Sequence, residues 1–339
     1  MSHMIPVEPE QVGAAWLSEV TGASVNKIVG FERIGTGQMS RNFRLELEGE
    51  LATVVIKVPA SDLGVRALGA GSYQREVYFY RQFAPAIPSG IAQCHHAAIS
   101  SDGTEFVLVL DDLAPATQGD QLAGSSIDDA ERSLRNLARI HAAWWDNDEL
   151  SRHRDGLPAS DRNALDAIYT LALNQFIEHY SERLQPGTVD VLAAMRGYVA
   201  KWSGDDAGPA TVTHGDYRLD NLMYSDAGVI AVDWQTANVG PPGRDVAYFL
   251  GNSLSSTDRR ASRTELLAAY RDELGASGVD YGTDDLELAV AKGAWLGPLI
   301  TVIGAFAATR TDRGDEMFIT MADRCADQIT QLDSRSHLS

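Results

Sequence analysis

Residues 214–221 read His-Gly-Asp-Tyr-Arg-Leu-Asp-Asn, and twelve positions after Asn221 comes Asp233, inside Val-Ile-Ala-Val-Asp-Trp-Gln. Asp216 can accept a proton from an attacking hydroxyl, and Asn221 and Asp233 are hard oxygen ligands suited to Mg²⁺. Arg218 sets a fixed positive charge two positions past Asp216, where it can offset the charge of a migrating phosphate. Together these are the groups that phosphoryl transfer from a nucleotide requires. His214 could act as a base or a metal ligand, but its place two residues before Asp216 suits a ring that hydrogen-bonds the loop and fixes it. Asp245, in Gly-Arg-Asp-Val-Ala, reads as a buried brace for that loop, and Asp220 as a turn residue.

A second group of residues lies upstream. Gly35-Thr36-Gly37-Gln38-Met39-Ser40 sits between two expected strands, where glycines allow close backbone approach. Main-chain N–H groups there, with the hydroxyls of Thr36 and Ser40, could cradle phosphate oxygens, although a plain hairpin has the same composition. Lys57 interrupts the apolar run Val-Val-Ile-Lys-Val. It is either an edge-strand lysine facing solvent or a phosphate-binding lysine, and burial would demand a partner. Glu76, nineteen residues later on an expected helix, suits that partnership. Phe106–Leu110 is an apolar strand with a polar exit over Asp111, Asp112 and Leu113.

The elements that must hold these residues follow from periodicity. Lys27–Ile34, Arg41–Glu48, Leu51–Val58, Ile91–Ile99 and Glu105–Leu110 read as strands, with one helix inserted from Ser72 to Ala84. Beyond Leu113 the pattern turns helical: Ser126–Trp145, Asp161–Leu184, Val189–Trp202, Asp245–Asn252, Arg263–Leu274, Asp284–Ala308 and Asp315–Leu332. Short strands at Thr211–Asp233 carry the opening motif. The expected organisation is α+β, with a small β-rich nucleotide-clamping lobe over 5–112 and a larger, mostly helical catalytic and acceptor-binding lobe over 113–335. Acceptor-lining candidates are one of Trp144 and Trp145, together with Tyr169, Phe176, Tyr180, Trp295 and Phe306; His141 reads as a core histidine.

Composition narrows the partners. The 339 residues carry 28 Lys and Arg against 47 Asp and Glu, a net charge of 28 − 47 = −19. Nucleic acid and anionic lipid are disfavoured partners for so acidic a chain. Cys94 and Cys325 lie too far apart in sequence to suggest a disulfide framework, and a cytoplasmic setting suits them. Met1-Ser2-His3-Met4 reads as a cloning remnant, and no secretory leader is evident after it. An uncharged stretch of seventeen residues between Lys292 and Arg310 contains three Gly and one Pro and reads as a core helix rather than a membrane span. The chain is expected to act as a monomer or homodimer.

On Gly35–Ser40, Lys57, Glu76, Leu110–Leu113, Leu137–Trp145, His214–Asn221 and Asp233-Trp234-Gln235, the chain resembles the aminoglycoside phosphotransferase and choline kinase superfamily, nearest its ecdysteroid-kinase-like branch. The resemblance implies a two-lobed protein-kinase-like fold, ATP and Mg²⁺, and transfer of the γ-phosphate to a small-molecule alcohol. It would make Asp216 the base, Asn221 and Asp233 the metal ligands, and Lys57 the phosphate lysine, and it would place the backbone contacts to adenine near Asp111 and Leu113. Asp-Trp-Gln replaces the Asp-Phe-Gly of protein kinases and no Ala-Pro-Glu segment follows, which argues against a protein substrate. The aromatic inventory suits an apolar or amphipathic alcohol. A cationic amino alcohol or aminoglycoside, and a non-catalytic nucleotide-binding pseudokinase, are the alternatives.

Overall fold

The computed structural model describes residues 5–35, 37, 39–158 and 161–338. They pack as two units: one holds the residues up to Pro85, Ile91–Ala116 and Asp233–Thr236, and the other holds Ala86–Gly90, Thr117–Val232 and the chain from Ala237 onward. The expected lobe boundary lay at 112/113; by packing, the first unit runs four residues further and takes in the short segment that begins at Asp233.

In the first unit, helix α1 (Ala14–Thr21) is followed by strands β1 (Val25–Ile34), β2 (Ser40–Gly49) and β3 (Thr53–Pro59). Helix α2 (Leu63–Tyr78) comes next, then β4 (Cys94–Ile99) and β5 (Phe106–Leu110). The sheet order is β1-β2-β3-β5-β4, with every neighbour antiparallel. Phe43, Leu45 and Leu47 alternate onto one face of β2 and bury against Leu17, Ile56, Val107 and Val109, the period-two pattern of a half-covered sheet. β3 is an interior strand, so Lys57 stands opposite Asn42 on one side and Leu108 on the other. The edge-strand reading of Lys57 is thereby excluded.

Helix α2 starts nine residues earlier than Ser72. Asp62 caps it, its carboxylate accepting from the Val65 N–H at 2.9 Å. Gly64, Gly69 and Gly71 mask the helix in the sequence, and packing rather than propensity forms it: Arg66, Gly69, Tyr73, Glu76 and Val77 are its buried residues. The end of α2 widens to a π-helical turn at Phe79–Phe83, which lays Phe79 flat on Trp234 at 3.8 Å.

The second unit is mostly helical: α3 (Ile127–Ala142), α4 (Leu150–Gly156), α5 (Arg162–Tyr180), α6 (Thr188–Ala194), α7 (Val199–Ser203), α8 (Gly243–Ser253), α9 (Ser256–Ala276), α10 (Thr283–Gly293), α11 (Leu296–Ala307) and α12 (Asp312–Gln331). Short strands β6 (Thr117–Gln118), β8 (Leu222–Ser225) and β9 (Gly228–Ala231) form one ribbon, while β7 (Thr211–Thr213) pairs with β10 (Asn238–Gly240). Two expected helices are broken. Gly197, at φ 75°, separates α6 from α7, and the helix expected over Asp284–Ala308 is interrupted at Trp295 between α10 and α11. Thr283–Ala307 is apolar enough by length to cross a membrane, but its hydrophobic window is 61% buried and α11 packs against α5 and α12.

Helices α8 and α10 meet backbone to backbone. A Cβ on Gly243 would stand 2.4 Å from the Ala289 carbonyl, and one on Gly293 would stand 2.3 Å from the Gly243 oxygen. Gly243→Ala is therefore expected to lower stability by about 1–3 kcal/mol, an overpacking cost without room to relax. Denaturant unfolding measures it, and an unchanged midpoint would contradict this close approach.

Candidate active site

In the first unit, the interior position of β3 and the buried face of α2 bring Lys57 and Glu76 together. Lys57 Nζ donates to Glu76 Oε1 at 2.7 Å and to Asp233 Oδ1 at 2.8 Å. Burial opposes the lysine charge, but Asp233 and Glu76 outweigh it and hold Lys57 above its ordinary value, so it is a fixed cation. Asp233 takes φ 66°, a left-handed conformation that is uncommon outside glycine, and Trp234 after it is anchored by Phe79. Strain of this kind persists where the surroundings enforce it, and it concentrates at functional positions.

The turn before β2 has Gly35 at φ 72°, a position that favours glycine. A Cβ on Gly37 would stand 3.3 Å from Ser40 O, and Ser40 itself is buried as the first residue of β2. Thr36 lies outside the described residues. At the exit of β5 the Asp111 N–H is spent on Gln93 O at 3.0 Å. What Asp111 can offer a base is its carbonyl. Two residues on, the Leu113 N–H has no acceptor among the described residues, so the backbone presents an acceptor and then a donor. His95 fixes the Asp111 carboxylate at 2.7 Å, and Arg44 Nε holds Asp112 at 2.6 Å.

In the second unit the loop 214–221 is gripped from several sides. Asp245, wholly buried on α8, accepts from the N–H groups of His214 at 2.6 Å and Gly215 at 2.9 Å. Burial pushes its carboxyl up, but His141 and the loop N–H groups outweigh that and hold it below the usual range. His214 spends both ring nitrogens inside the loop, Nε2 on Val232 O at 3.0 Å and Nδ1 on the Asp216 N–H at 3.2 Å. It fixes the loop, and His141, bonded to Tyr270 OH at 2.7 Å, is a core residue. Tyr217 enters the core and donates to Ser133 O at 2.8 Å on α3.

Asp216 is thereby presented with its carboxylate surrounded by donors. Tyr248 OH donates to Oδ1 at 2.7 Å and Asn221 Nδ2 to Oδ2 at 2.9 Å, while Arg218 Nε lies 3.2 Å from Oδ1. Asn221 Nδ2 also donates to Asp216 O at 2.9 Å. Its nitrogen is therefore committed, and the carboxamide oxygen has no partner among the described residues. Arg218 Nη1 donates to Asp220 Oδ2 at 2.7 Å, and Asp220 Oδ1 accepts from Gln121 N–H at 3.0 Å. Asp220 is more than the turn residue expected: burial raises its carboxyl, Arg218 lowers it further, and the net shift is down.

Of the acceptor-lining candidates, Tyr169 and Trp295 are core residues whose polar ends donate to Leu192 O at 2.8 Å and Ser334 O at 3.0 Å. Trp144 is buried and Trp145 packs on Tyr281. Phe176, Tyr180 and Phe306, with His179 and Arg310, line a cavity of about 90 Å³. Sequence reasoning missed Tyr248 and Gln121. Tyr248 stands one helical turn after Asp245, so it shares the face already assigned to bracing the loop; that spacing was its available signal.

Comparison with known proteins places this geometry. Residues 30–281 match the family described as "Phosphotransferase enzyme family". A Ralstonia eutropha protein assigned as an aminoglycoside phosphotransferase superposes with a TM-score of 0.57 at 18% identity, over 94% of this chain and 97% of its own. The GDP complex of aminoglycoside 2'-phosphotransferase IIIa gives 0.55 at 16% identity, over 89% of this chain and 94% of its own. Choline kinase from Cryptosporidium parvum gives 0.53 at 9% identity, over 91% and 89%. At such identities the likeness is one of fold. No curated protein matches the chain. The superfamily expected from the motifs is the one found, but none of these matches singles out an ecdysteroid-kinase-like branch.

Proposed function

The chain belongs to the phosphotransferase enzyme family, by its match over residues 30–281, and from that premise we propose that it transfers the γ-phosphate of ATP, with Mg²⁺, to a hydroxyl of a small apolar or amphipathic alcohol. The observation that carries this reading is Asp216, a carboxylate held by Tyr248, Arg218 and Asn221 on a loop that Asp245 fixes. In the reaction the acceptor oxygen bonds to the γ-phosphorus as the bond to the nucleoside diphosphate breaks, and the hydroxyl proton passes to Asp216.

The donor set suits a magnesium ion. Asn221 keeps its amide oxygen for a ligand because its nitrogen is tied to Asp216, and Asp233 offers a second hard oxygen. Among the described residues no cluster of three His, Cys, Asp or Glu could cage a metal. Magnesium needs no such cage, since it keeps waters and shares substrate phosphates. The same shortage of carboxylate ligands disfavours a metal-dependent phosphohydrolase. When bound, the ion neutralises charge on the nucleotide phosphates. We assign Lys57 to those phosphates, with Glu76 holding it, and Gly35, Gly37 and Ser40 to the same task through their backbone. Asp111 C=O and Leu113 N–H are assigned to the adenine edge, and Arg218 to the migrating charge.

The ion pairing of acids in the second unit bears on the acceptor. Asp220 is paired with Arg218 and Arg313, Asp120 with Arg313, Asp315 with Arg310, and Glu316 with Arg183. A polycation would have to displace these arginines, whereas a neutral alcohol would not. An ADP-release screen across alcohol classes tests the proposal. Acceptor-dependent release with a neutral steroid, terpenoid or macrolide alcohol, and none with kanamycin, is expected. Tight Mg-ATP binding with no release from any alcohol would contradict it and favour the pseudokinase reading.

A further inference from the structure

Helix α8 holds three consecutive loop residues with two side chains one turn apart. Asp245 takes the backbone N–H groups of His214 and Gly215, and Tyr248 takes the side chain of Asp216. The helix itself has little freedom. Gly243 is pressed on the Ala289 backbone, and Gly251 on Gln328, whose Nε2 donates to Ala247 O at 3.0 Å. Tyr248 is wholly buried, so its hydroxyl is delivered to Asp216 Oδ1 from a fixed direction.

The other donors to this carboxylate have divided loyalties. Arg218 shares its guanidinium between Asp216 and Asp220 and touches Met317 Sδ at 3.4 Å. Asn221 shares its amide nitrogen between the Asp216 backbone and Oδ2. Tyr248 is the donor to Asp216 that has no second acceptor among the described residues. It also carries no charge to be redistributed when phosphate arrives.

We propose that Tyr248 is the positioning residue for Asp216: its hydroxyl holds the carboxylate in the rotamer that receives the acceptor proton. This rests on the reading of Asp216 as the base. A carboxylate misplaced by a fraction of an ångström still permits nucleotide binding, but it spoils proton transfer from an oriented alcohol.

Tyr248→Phe removes the hydroxyl and keeps the ring. With the acceptor found in the ADP-release screen, kcat for transfer is expected to fall by about 10–100-fold, the scale of one hydrogen bond to a charged group. KM for ATP is expected to stay unchanged while kcat falls, a split that a merely structural role would not produce. Thermal melting checks that the variant folds, and Asp216→Asn is run beside it. Normal transfer by Tyr248→Phe, or a loss of ATP affinity as large as the loss of kcat, would overturn the proposal. If Asp216→Asn transfers phosphate normally, it is the base reading that fails; if Asp216→Asn is inactive while Tyr248→Phe is normal, only the role of Tyr248 fails.

Discussion

Asp216→Asn is expected to lower kcat for phosphoryl transfer by about 10²–10⁴-fold, the usual contribution of a positioned general base. ATP affinity should change little, because no nucleotide contact is assigned to this side chain. The substitution is isosteric, so the loop should survive it. Asp245 still holds the His214 and Gly215 N–H groups, Tyr217 still anchors on Ser133, and Tyr248 can still donate to the remaining carbonyl oxygen. What is lost is the capacity to take a proton. Steady-state kinetics beside calorimetric ATP binding separate the two effects. A variant with near-parental kcat would remove Asp216 from the chemistry.

Lys57→Met is expected to produce the largest loss of stability. Glu76 is 1% exposed and Lys57 Nζ is its ion-pair partner, so the variant leaves a carboxylate buried without its cation. Breaking one side of such a pair costs about 3–5 kcal/mol. For a protein of this size that corresponds to a fall in Tm on the order of 10 °C. The double variant Lys57→Met/Glu76→Leu removes both charges and is expected to recover much of the stability, but none of the ATP affinity. Scanning calorimetry of the parent, the single and the double variant reads this out. A single variant as stable as the parent would show that Glu76 does not depend on Lys57.

Much of this was legible because chemistry constrains spacing. The run from His214 to Asn221 and the distant Asp233 stood out in the sequence by type and spacing, and Lys57 in an apolar strand demanded a partner that Glu76 supplies. The strands of the first unit were legible through alternation, as in Phe43, Leu45 and Leu47. Helix α2 was not, since its glycines lower propensity while tertiary packing of Tyr73, Glu76 and Val77 overrides it. The break at Trp295 was hidden for the opposite reason: an unbroken apolar run gives no signal where a helix turns a corner. The acceptor candidates Tyr169 and Trp295 illustrate a further limit. An aromatic residue on a helix reads the same whether its polar end meets a substrate or, as here, a carbonyl of the core. Tyr248 was hidden by its company, among the apolar residues of α8.

The most direct measurement is phosphorus NMR of a reaction containing Mg-ATP and the acceptor from the screen, run with the parent protein and with Asp216→Asn. The account predicts that the γ-phosphate signal of the parent reaction passes into a phosphomonoester of the alcohol, and that the variant leaves it in ATP. Conversion to inorganic phosphate alone, or ester formed equally by both proteins, would contradict it.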